Sequence, residues 1–183
     1  MTLLADIAGN ESEDRAGTAA AASASDPVDV ASLVDRVANV HDRLRLMDVR
    51  TQRLVGEVFG ELPLSVDSVS VSVAAPEVLV EPPRVACRFT ERVALLGEGE
   101  KQLAVVEVVL VLEFALDGQE DLDGEAVAVY VDRNAFFIAH PYLREAVQMT
   151  TSRLGLDAVV LGVLGRDEDR PSGVTLVRRA PQL

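Results

Sequence analysis

The sequence predicts an α+β fold: a four-stranded antiparallel sheet, with an N-terminal helix before it and a long C-terminal helix after it. Three observations carry this reading. Valines and a leucine recur at helical spacing over residues 30–40, and apolar and polar residues alternate through the middle of the chain. A 3–4 spacing then returns after Pro141.

Residues 1–26 are rich in Ala, Ser and Gly and hold five acids and one base, the composition of a disordered tail. Structure is expected to begin at Asp26–Pro27, where Asp26 suits an N-cap and Pro27 the first helical position. Val30, Leu33, Val34, Val37 and Val40 continue it as one helix to about His41. From Leu44 the period changes, giving a strand over roughly 43–58 that ends in the Gly60–Pro63 turn. In residues 64–74, Val69, Val71 and Val73 alternate with Ser68, Ser70 and Ser72, the pattern of a half-buried strand. Pro76, Pro82 and Pro83 bracket Val78–Val80, which they limit to an edge piece.

The next two strands give the strongest local signal. Val85, Cys87, Phe89, Val93 and Leu95 share one face, opposite Arg84, Arg88, Thr90 and Arg92, and Gly97–Glu100 makes a hairpin loop. The returning strand places Ala104, Val106, Val108, Leu110, Leu112 and Phe114 on one side. Leu103, Val105, Val109 and Val111 lie on the other, interrupted by Glu107 and Glu113. Both faces are apolar, so either helices cover both or one packs on another subunit. An acidic loop over 117–125 leads to a short helix over about 124–132. Pro141 is expected to open the long helix, with Leu143, Ala146, Val147, Thr150 and Leu154 on its apolar face and Gly155 as its stop. Residues 158–164 read as a short buried segment, and residues 165–183 as a flexible tail. The domain is thus expected over 27–164.

With 17 basic and 30 acidic residues the net charge is −13. That disfavours nucleic acid, whose affinity needs clustered cations. No apolar run approaches the ~20 residues of a membrane span, the N-terminus lacks the pattern of a signal peptide, and one cysteine cannot form an internal disulfide. A cytoplasmic protein is expected.

The residues do not converge on catalysis. His41 and His140 lie at ligand spacing neither from each other nor from Cys87, so no metal and no cofactor is expected. Cys87 falls on an apolar strand face and reads as a small buried hydrophobe. Nucleophile-elbow and phosphate-loop motifs are absent. Glu107 and Glu113 stand roughly 20 Å apart along a strand at ~3.3 Å per residue, too far for a two-carboxylate hydrolase. What remains is an apolar surplus in an acidic protein. Self-association accounts for it, and so does a groove for exposed apolar segments of other chains; the two are compatible.

From Asn134 the sequence runs Asn-Ala-Phe-Phe-Ile-Ala-His-Pro-Tyr-Leu-Arg-Glu-Ala to Ala146, followed by Arg153-Leu154-Gly155-Leu156 and Val160-Leu161. This aromatic segment running into Pro-Tyr-x-Arg-Glu resembles the SecB family of export chaperones, and with the preceding strands the likeness covers residues 43–164. The N-terminal helix, and the absence of a second long C-terminal helix, resemble most the SecB-like chaperones attached to toxin–antitoxin modules. The resemblance implies an ATP-independent holdase acting as a homotetramer, a dimer of dimers, with the Pro141 helix in the subunit interface. Its clients would be unfolded preproteins or antitoxins, with the motor SecA as a further partner of the export type. Implied client-binding residues are Phe114, Tyr130, Phe136, Phe137 and Leu143. Glu91, Glu107 and Glu113 on the sheet are the candidate surface for a basic partner. The alternatives are a non-chaperone module that uses the same fold only to oligomerise, and a small-molecule-binding or enzymatic curved sheet.

Overall fold

The computed structural model describes residues 30–118, 121–156, 159–162 and 175–177. The 1–26 tail and the Asp26–Pro27 cap lie outside the described residues. Helix α1 spans Val30–Arg43. Leu33 and Val37 are half-buried and Val40 buried, so one apolar stripe faces inward. The chain then passes directly into strand β1, Leu44–Val58.

Strands β2 (Ser68–Val73), β3 (Glu77–Glu81), β4 (Arg84–Leu96) and β5 (Gln102–Leu116) complete the antiparallel set. The order is β1-β5-β4-β3, with β2 also on β4. β2 pairs with Glu91–Leu96 and β3 with Arg84–Arg88, so the two share one edge of β4 in tandem and the antiparallel part of the sheet is four strands wide. Pro76, which has no N–H to donate, stands at the break between them. A short strand β6, Thr175–Val177, runs parallel to β3. It falls within the segment read as a tail, whose other residues, 165–174 and 178–183, lie outside the described residues.

Helix α2 (Gly124–Tyr130) passes through a wider turn, Val131–Ala135, into α3 (Phe136–Arg153). Asp123 caps α2 by accepting the Ala126 N–H at 2.9 Å. That bond, reinforced by Arg36, holds its carboxyl below the usual range. Arg36 reaches Asp123 at 2.7 Å and Glu125 at 2.9 Å, tying α1 to the start of α2.

Pro141 does not open the long helix, as the sequence reading has it; it lies in the second turn of α3. The inward-facing series of Leu143, Ala146, Val147 and Thr150 extends back through Ala139 to Phe136, all buried. Their packing keeps the segment ahead of the proline helical despite the missing donor. Gly155, with φ of +72°, ends the helix as expected, and the Leu156 N–H bonds to the Thr151 carbonyl.

The helices cover one sheet face. There Phe89 packs against Phe136 with centroids 5.7 Å apart, and Phe114 meets Tyr130 edge-on at 6.2 Å. The opposite face answers the question of the two apolar sides of β5. Val109 and Val111 are buried, yet the arginines beside them are open to solvent, while Val105 is buried between Glu57 and Ala94. In the register Val111 lies between Arg50 and Arg88, and Val109 between Arg53 and Thr90. Arg50 pairs with Glu113, Arg53 with Glu107 at 2.9 Å, and Arg88 with Glu77 at 3.1 Å. Long side chains bridging strands in this way can cover apolar neighbours with their methylene stems, which accounts for the burial of Val109 and Val111.

Candidate functional site

An open apolar surface lies at the far end of the sheet from α1. A groove of about 520 Å³ runs between β2 and the chain leaving α3. One wall is Val69 and Val71 with the loop Pro63–Val66; the other is Gly155, Leu156 and Val159–Gly162; Leu95 lies between them. Val69, Val71 and Val160 are 44%, 49% and 54% exposed, and Leu62 and Val66 are exposed nearby.

Local chemistry sets these walls. β2 receives ladder bonds from β4 on one side, so among the described residues its valines stand at the sheet margin with no helix over them. The hairpin before β5 fits beneath the Pro63–Val66 loop because residue 97 is glycine. A Cβ there would come within 2.8 Å of Leu103 Cδ1 and 3.2 Å of the Ser65 carbonyl. The opposite wall is pinned to α3. Thr151 Oγ1 accepts the Val159 N–H at 3.3 Å, His140 Nε2 lies 3.1 Å from the Gly162 carbonyl, and Leu161 is buried in the core.

None of the lining side chains ionises, so the groove offers contact area and no acid, base or nucleophile. No group of His, Cys, Asp and Glu that would hold a metal occurs among the described residues. Burial pushes the Cys87 thiol up to about 12, which leaves it protonated and unreactive. No helix among the described residues is long and apolar enough to cross a membrane.

The structure redistributes the residues singled out from sequence. Phe114, Tyr130, Phe136 and Leu143 are buried core residues and do not line the groove. Helical spacing on α2 and α3 turns the last three onto the sheet, and Phe114 lies on the covered face of β5. Phe137, one position along α3 from Phe136, is half-buried. Accordingly, Phe136→Ala is expected to cost about 3–5 kcal/mol of stability in urea unfolding, the loss typical of a truncated core phenylalanine.

Glu91 is no surface acid. It is 1% exposed, on the helix-facing side of β4, and its Oε1 has no hydrogen-bond partner. Glu107 and Glu113 do lie on the open face, but each is engaged by an arginine, which cancels the acidic patch expected there. The groove residues themselves went unread. Their signal was the Val–Ser alternation of β2, interpreted as half-buried, beside a loop punctuated by Pro63.

No family model and no curated protein matches the chain. Among solved structures it is similar to the Mycobacterium tuberculosis Rv1957 SecB-like chaperone in complex with a ChAD peptide from the Rv1956 HigA1 antitoxin. The TM-score is 0.65 at 20% identity, over 73% of this chain and 99% of that one. A Streptococcus agalactiae protein of unknown function matches at a TM-score of 0.37 and 8% identity, over 66% of this chain and 98% of that one. The first likeness establishes the SecB-like fold; the second carries no argument.

Proposed function

We propose that this chain, which has the fold of a SecB-like chaperone, is an ATP-independent holdase whose groove binds extended apolar segments of unfolded polypeptides. The observation that carries the reading is the open apolar groove between β2 and the α3 exit. At roughly 25 cal/mol per Å² of apolar surface removed from water, such a groove holds a client without reading its sequence closely.

An antitoxin is the client class best supported, because the M. tuberculosis chaperone of this fold was solved with an antitoxin peptide. The export alternative, with unfolded preproteins handed to SecA, draws less support, since Arg53 and Arg50 already occupy Glu107 and Glu113. A homotetramer built as a dimer of dimers fits two further features. β1 is a long edge strand with Leu46, Met47 and Leu54 exposed, and its outer edge carries no partner among the described residues. Tyr142 and Met149, two turns apart on α3, are also exposed and would pack in an interface between dimers. The cytoplasm is the proposed site of action.

The test is aggregation of a chemically denatured protein diluted into buffer with and without this chaperone, no ATP present. Suppression at about one tetramer per client is expected, with light scattering reporting the tetramer. A chain that leaves aggregation unchanged overturns the reading. A toxin–antitoxin pair encoded beside the gene separates the antitoxin role from general export.

A further inference from the structure

We infer that His140 is the positioning residue of the groove, holding the Val159–Gly162 wall against α3 at the spacing that admits a client. The inference rests on the chaperone reading above and assigns to one side chain the shape of its site.

The Gly162 carbonyl can only accept, so Nε2 of His140 is the donor in the 3.1 Å contact. The ring direction is also fixed. It lies against Phe136, with centroids 6.1 Å apart, and Phe136 is held by Phe89 on the sheet at 5.7 Å. Nδ1 is buried and has no partner, so the one polar bond this side chain shows runs to the wall. A histidine kept for solvation would not bury its second nitrogen unpaired.

The wall needs such a tie. Val159–Gly162 belongs to no helix or strand, and between its ends Leu161 is buried while Val160 is exposed into the groove. Thr151 Oγ1 secures the first residue through the Val159 N–H, and His140 secures the last through the Gly162 carbonyl. These clamps stand eleven residues apart on α3, three turns of one helix, so a rigid element dictates where both ends of the wall sit.

The test compares the wild type, His140→Phe and His140→Gln. Phenylalanine keeps a ring against Phe136 but has no donor; glutamine supplies a donor without the ring. The probe is a fluorescein-labelled, reduced and alkylated globular protein that cannot refold, titrated by anisotropy. Amide hydrogen exchange at Val160–Gly162 and thermal unfolding are followed in parallel. His140→Phe should weaken probe binding about fivefold, the worth of one net hydrogen bond. It should speed exchange of the wall amides while the unfolding midpoint stays within a few degrees, and His140→Gln should bring affinity back to within about twofold. Unchanged affinity with unchanged wall exchange overturns the inference. So does a weakening matched by faster exchange throughout α3 and the sheet, which marks a purely structural histidine. If the wild type itself ignores the probe, the chaperone reading fails, and the exchange comparison alone decides whether His140 holds the wall.

Discussion

Glu91→Gln is expected to raise the thermal unfolding midpoint substantially at pH 8 and to change it little near pH 5. The carboxyl sits between Phe89 and Val93 along β4 and opposite Val73 and Val108 across the sheet. Burial alone pushes its pKa from 4.5 to about 7. An unfolded chain releases this proton near 4.5, whereas the folded one retains it until about 7. Between those values the native state binds more protons, so stability falls as pH rises. Below the lower value both states are protonated and nothing is lost. Above the upper value the full penalty applies, about 3 kcal/mol at 1.36 kcal/mol per pH unit. The neutral amide has the same shape and removes that penalty, so the gain at pH 8 reaches up to about 3 kcal/mol, or roughly 6–12 °C for a chain of this size. Calorimetry at the two pH values decides it. Equal shifts at both, or destabilisation at pH 8, would show that the charge finds a partner.

Val69→Asp combined with Val160→Asp should abolish client binding and leave the fold intact. Both side chains are about half exposed and face each other across the groove, so neither supports the core. Exposed substitutions of this kind usually alter stability by less than about 0.5 kcal/mol each. Binding is a different matter. Two valines that would be covered by a client lose about 1.5 kcal/mol apiece, and each aspartate must shed its water in an apolar site. Affinity for an unfolded protein should drop by about two orders of magnitude, read by anisotropy beside an unchanged circular dichroism spectrum. Retained affinity would move the client to another surface.

The contrast between these substitutions shows where the sequence was legible. Strands β4 and β5 are plain in the sequence, because β4 alternates and β5 is a long run of β-branched and aliphatic residues returning from the Gly97–Glu100 hairpin. The same parity that buries Phe89 and Val93 also turns Glu91 inward. Position outweighs residue type there, so the carboxylate is buried although its type suits solvent. The aromatic run at 136–137 drew attention as a groove, but α3 meets the sheet through Phe136, so its size serves packing. The open groove between β2 and the α3 exit is lined by small aliphatic residues in segments broken by Pro63 and Gly155, where no period survives to place them. Nor could the strand pattern say what covers Val109 and Val111. That depends on which arginines of β1 and β4 stand opposite, a matter of register between distant parts of the chain.

The tandem arrangement of β2 and β3 has a mechanical consequence. On the proposed function, the pull of a bound polypeptide would fall on the six residue pairs joining β2 to β4, whereas β3 is paired separately with β4 and with β6. The pairs at the groove margin are thus distinct from those that hold β3. A client held as proposed would load those pairs ahead of the aromatic core.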